Sequence, residues 1–95
     1  MKPCKLVGTI ISVKGHCSAG HTVGEQHELS LWSQDTDAAR RAPNLCAFFY
    51  DMTFPYLAVL QFGGEFPWQE NKDTFQISCP DTTNQVTIEI KRIKK

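Results

Sequence analysis

The longest apolar stretch of the chain runs from Asn44 to Trp68, NLCAFFYDMTFPYLAVLQFGGEFPW, and the remaining pattern is arranged around it. Leu45, Phe48, Phe49, Met52, Tyr56, Val59 and Leu60 recur at three- and four-residue intervals, which predicts one face of a helix. Tyr50, Phe54, Leu57 and Ala58 occupy the other side. Such a helix is apolar nearly all round and needs cover on two sides. Asn44 is the expected N-cap, because its side chain can accept from an amide two or three residues on. Pro55 lacks an N–H and crowds the carbonyl of Asp51, which predicts a kink or a break into two short helices. Gly63 and Gly64 suit the C-terminal cap, and Phe66 and Trp68 are expected to fold back onto the helix.

Strand patterns flank this helix. Cys4 to Lys14, CKLVGTIISVK, is β-branched and aliphatic, with Val7, Thr9, Ile11 and Val13 on one face and Leu6 and Ile10 on the other. That reads as a central strand, or one covered on both faces. The glycine-rich loop GHCSAGHTVGE follows, and then Gln26 to Trp32, where His27, Leu29 and Leu31 alternate. Ser33 to Pro43 is a polar connection with a short helical turn expected at Asp37–Arg41. After the helix, Thr74 to Cys79 and Val86 to Ile93 form a hairpin around the turn PDTTNQ. In the first strand Phe75, Ile77 and Cys79 share a face, and in the second Val86, Ile88 and Ile90 point inward. The order is strand, strand, helix, strand, strand. It predicts a single α+β domain over residues 1–95, a four-stranded antiparallel sheet with one kinked helix packed across it.

Ten basic and ten acidic residues cancel, so no general field draws nucleic acid or an anionic membrane to this chain. The basic cluster Lys91, Arg92, Lys94 and Lys95 reads as a solvated strand terminus. The apolar helix, at about 18 residues, stands at the lower limit for a membrane span, and Asp51, Pro55 and the glycine pair favour a core helix. The short apolar run near the start is broken by polar residues and no cleavage-type site follows. The expectation is a cytoplasmic protein, where thiols stay reduced and four cysteines point to metal or redox chemistry more than to disulfides.

Three blocks stand in order along the chain: GHCSAGHTVGE, LCAFFYDMTFPYLAVLQFGGEFPW and SCPDTTNQVTIEIKR. Together they resemble a family of small uncharacterised prokaryotic proteins of about this length, known chiefly from anaerobes. That family has a G-x-C-x-x-G-H loop, a Cys opening a helix that ends in Gly-Gly, and a Cys-Pro-Asp turn before a final strand. The positions that carry the resemblance are Cys17, Gly20, His21, Gly24, Cys46, Gly63, Gly64, Cys79, Pro80 and Asp81. Ala47 stands where the pattern expects proline, and Glu25 where aspartate is commoner. The resemblance covers nearly the whole chain and implies no activity.

The chemistry therefore comes from the residues. Cys4 and Cys17 bracket the first strand, and an extended run of that length spans roughly 30 Å or more. If the strand after the helix runs in the direction of the first, Cys17 and Cys79 reach the same edge of the sheet, within range of Cys46 at the helix start. His21, in the flexible loop, can turn back to the same point. Cys17, His21, Cys46 and Cys79 then form a three-sulfur, one-nitrogen set of a kind that zinc prefers, and thiolates also suit iron. No C-x-x-C pair is present, and each cysteine also reads as a small core hydrophobe. A second reading makes Cys46 a reactive or redox thiol, because the helix dipole favours an anion at its start. No orienting residue or oxyanion hole accompanies it, so the chain leans away from an enzyme. A third reading is a metal-free accessory protein that self-associates as a homodimer, burying the outer helix face and the apolar surface of Trp32, Phe66 and Trp68.

Overall fold

The computed structural model describes residues 4–93. Strand β1 spans Lys5–Val13, β2 Gln26–Glu28, β3 Trp32–Ser33 and β4 Ala38–Ala39; helix α1 spans Ala47–Gln61, β5 Thr74–Ser78 and β6 Val86–Ile93. The main sheet has the order β2-β1-β6-β5, and every pairing in it is antiparallel. The architecture is α+β with one helix on a four-stranded antiparallel sheet. The strand count before the helix differs from the expected order, because β3 and β4 form a second, two-stranded sheet. They pair Trp32 with Ala39 and Ser33 with Ala38. Asp37, at φ 50°, supplies the left-handed residue that closes the turn, so a hairpin stands where a helical turn was expected.

One face of the main sheet carries the core. Leu6, Ile10, Ile88 and Ile90 have no exposed surface, and Val86 and Phe75 are buried beside them. The other face is polar rather than covered. Along one row Gln26 donates to Thr9 and Gln76 to Glu89, and in another row of that face Ser78 bonds Thr87. Gly8 lies on the core face, where a Cβ would come within 2.6 Å of Leu29 Cδ1 and 2.7 Å of Ile88 Cδ1. The register between β1 and β6 slips between Ile10 and Ser12. This bulge turns Ile11 outward and lets the Ile10 N–H and C=O engage Glu25 O and the Gly24 N–H.

Helix α1 is continuous through Pro55, so the expected break does not occur. Its N-cap is Cys46, two residues past Asn44, and the Cys46 side chain makes no capping hydrogen bond. Its C-terminus follows the expected glycine pair. Gly63 takes φ 87°, the Gly64 N–H donates to Val59 O at 2.8 Å and the Gly63 N–H to Leu60 O at 3.4 Å, which is the Schellman arrangement. The buried residues are Phe49, Thr53, Leu57, Leu60 and Gln61. Phe48, Met52 and Val59, grouped on one face with Phe49 by their spacing, lie exposed. Two polar residues shift the stripe. Thr53 satisfies its hydroxyl on Phe49 O. Gln61, also fully buried, accepts from the Leu31 and Trp32 N–H groups and donates to Cys4 O and Trp32 O.

The loop after α1 returns Phe66 to the core against Phe75 and Tyr56, while Trp68 stacks on Phe66 from outside and stays largely exposed. Arg92 corrects the reading of a solvated basic end. Its side chain is 6 % exposed, and the guanidinium donates to Leu60 O, Gly64 O, Lys72 O and Asp73 Oδ1. A cation thereby sits at the helix C-terminus, on carbonyls of its last turn and of the glycine cap, where the dipole favours it. Lys94 and Lys95 lie outside the described residues.

Candidate functional site

β1 and β5 are both antiparallel to β6 and so run in the same direction, which puts the loop after β1 and the turn after β5 at one end of the sheet. The two are joined there: the Lys14 N–H donates to Gln85 O and the His16 N–H to Asn84 Oδ1. Cys17 opens a tight turn, its carbonyl accepting from the Gly20 N–H at 2.9 Å. Cys79 pairs its N–H with Val86 O, and its sulfur accepts the Val86 N–H at 3.2 Å. Asp81 builds that turn by accepting from the Thr83 and Asn84 amides, which hold its carboxyl below the usual range. Cys4 lies at the opposite end of β1, bonded to Gln61 near the end of α1. All four cysteines are free and half-buried.

His21 is the residue of the expected set around which side-chain ligands gather, and the partners it gathers are not thiols. Its Nδ1 lies 2.5 Å from Glu25 Oε2, and the same oxygen lies 2.8 Å from His27 Nε2. The two imidazoles meet edge to face, with centroids 5.9 Å apart. Among the described residues, three or more His, Cys, Asp or Glu ligand atoms come within 4.8 Å of one another in this group, which contains no cysteine. His21 joins Cys46 through the main chain instead: the Cys46 N–H donates to His21 Nε2 at 3.1 Å.

The local fold explains the cluster. His27 pairs across β2 and β1 with Gly8, in the row that continues to Ile90 and Phe75, so its ring turns to the helix side of the sheet. Glu25 stands two residues earlier, and its backbone is fixed to Ile10 at the bulge. The positive φ of Gly20 and Gly24 lets the chain between them turn tightly and bring His21 back over Glu25. The His21 side chain is 6 % exposed, His27 12 % and Glu25 29 %, so the carboxylate is the face open to solvent. Burial acts to raise the Glu25 carboxyl; hydrogen bonds from His27 and His21, and the charge those rings carry when protonated, outweigh it and hold it below its ordinary value.

The glycine loop singles out His21 in the sequence, whereas Glu25 and His27 do not stand out there. The signal was the spacing H-x-x-x-E-x-H, in which the last two positions share one side of a strand and a glycine turn returns the first. Two imidazole nitrogens and a carboxylate oxygen, partly open to water, form a donor set for zinc or ferrous iron, with coordination positions left over. No helix of the described residues is long and apolar enough to cross a membrane. Comparison with protein-family models, with curated proteins and with solved structures finds no match to this chain.

Proposed function

We propose that this chain binds a divalent transition metal, zinc or ferrous iron, through His21, Glu25 and His27. The observation that carries the reading is that His21 Nδ1 and His27 Nε2 lie 2.5 Å and 2.8 Å from the same Glu25 Oε2, in a group whose ligand atoms lie within 4.8 Å of one another. One carboxylate oxygen facing two imidazole nitrogens is an arrangement in which a cation can replace the bridging hydrogens. The expected set Cys17, His21, Cys46 and Cys79 shares His21 with this group, but among the described residues no gathered group of three or more ligand atoms contains a cysteine. The four free thiols suit a reducing compartment such as the cytoplasm. Equilibrium dialysis against zinc, and against ferrous iron under anaerobic conditions, tests the proposal. The expected result is about one equivalent bound per chain, lost in Glu25→Ala. Binding that Glu25→Ala leaves unchanged refutes it.

A second reading, self-association, is favoured by the outer face of α1. Phe48 is 77 % exposed, Phe54 45 % and Met52 43 %, and Asp51 is the sole charge along the helix. We propose a second copy of the chain as the occupant, because a face apolar along its length meets its own like across a two-fold axis without leaving a charge unpaired beyond Asp51. Light scattering should give a dimer mass for the native chain and a monomer mass for Phe48→Glu. A native monomer at high concentration removes this reading.

A further inference from the structure

His21 uses both ring nitrogens, and their roles are fixed. An amide nitrogen can only donate, so the Cys46 N–H pointing at Nε2 requires a lone pair on Nε2. The ring hydrogen is therefore on Nδ1, where it is donated to Glu25 Oε2. Coordination of a metal by Nδ1 reverses the assignment. The Nδ1–H bond breaks, the lone pair left behind goes to the metal, and an N–H bond forms at Nε2 by proton exchange with water, so the ring stays neutral. Nε2–H then faces the Cys46 N–H at a separation suited to one donor and one acceptor. Two donors repel.

Cys46 is the residue from which α1 starts. Its side chain makes no capping hydrogen bond and the first turn holds no acidic residue, so the His21 imidazole is the side-chain acceptor at the helix start. The open groove lined by Pro43, Leu45, Ala47, Tyr50 and Phe54 begins at the same turn.

We propose that the loop carrying His21 is a metal-operated latch on helix α1: closed without metal through the Cys46 N–H to His21 Nε2 bond, and released when a divalent cation takes Nδ1. The inference rests on the metal site proposed above. Release frees the first turn of α1 and changes the shape of the groove beside it, which gives metal binding a consequence at the protein surface. It also weakens binding, because the cation must break the latch.

The test is a zinc titration of the native chain labelled with nitrogen-15. Without zinc, long-range nitrogen–proton spectra should show His21 in the Nδ1–H form. With zinc it should change to the Nε2–H form, the Cys46 amide resonance should move, and its hydrogen exchange should quicken at least about tenfold. If zinc converts His21 to the Nε2–H form while the Cys46 amide resonance and its exchange stay unmoved, the latch is overturned and the metal site stands; if His21 keeps Nδ1–H, both are overturned. If zinc produces no change at all, both are overturned. Two variants make the same distinction by affinity. Cys46→Pro removes the N–H, and φ there, at −49°, is close to the value that proline imposes; Cys46→Ala keeps the N–H and removes the sulfur. Cys46→Pro should bind zinc about tenfold more tightly than Cys46→Ala. Equal affinities overturn the latch, and the native-chain titration decides the matter if Cys46→Pro does not fold.

Discussion

Replacing Gln61 by leucine isolates one buried polar contact on which three parts of the chain depend. The Gln61 amide joins the end of α1 to the start of β1 through Cys4 O, and to the segment leading into the small hairpin through Leu31 and Trp32. Leucine keeps much of the volume and offers no hydrogen bond, so two N–H groups and two carbonyls lose their partner. At about 1 kcal/mol for each, the loss is ~4 kcal/mol. A domain of this size has a total stability of about 5–15 kcal/mol, so the substitution removes a large part of it. Urea unfolding followed by circular dichroism should show the midpoint falling with little change in slope. The melting temperature should drop by roughly 15 °C or more. The bond from the Cys4 N–H to Gln61 O is a main-chain contact and survives. A measured loss under about 1 kcal/mol would refute the reasoning, because it would mean that water or rearrangement satisfies all four groups.

Arg92→Lys keeps the charge but cannot reach Leu60, Gly64, Lys72 and Asp73 together; it should cost about 2–3 kcal/mol by urea unfolding. Gly8→Ala drives a methyl group into Leu29 and Ile88, both without exposed surface, and should cost about 1–3 kcal/mol through overpacking. Glu25 is held below its ordinary carboxylate value of 4.5, so its contribution to stability is complete above that value and is lost as pH falls through the lowered folded one. Urea midpoints across the acid range should therefore show native chain and Glu25→Gln converging as pH falls, and a gap that widens toward acid would contradict the assigned sign.

Much of the fold could be read from the order of residues. The limits of β6, the Gly63–Gly64 cap and the inward set Val86, Ile88 and Ile90 follow from local turn chemistry and period-two alternation, which need no knowledge of distant partners. The helix was legible as an element but not as an orientation. With apolar residues on every side, hydrophobicity alone cannot choose the buried stripe, and the choice is made by Thr53 and Gln61, polar residues whose hydrogen bonds exist only in the folded chain. Arg92 was misread for a similar reason: a basic residue in a basic run looks solvated until the helix carbonyls above it are in place. The short β3–β4 pairing rests on two residues a side and has no periodicity to detect. At the candidate site His21 was legible from its glycine loop. Glu25 and His27 were not, because their approach depends on the bulge at Ile11 and on the pairing of His27 with Gly8.

The central claim, that His21, Glu25 and His27 form the metal site, is tested most directly by calorimetric titration of zinc into His27→Ala and into a chain with Cys17, Cys46 and Cys79 each replaced by alanine. The account predicts that the cysteine-free site binds zinc like the native chain and that His27→Ala does not bind it. Zinc binding that survives in His27→Ala and vanishes with the three sulfurs would contradict it.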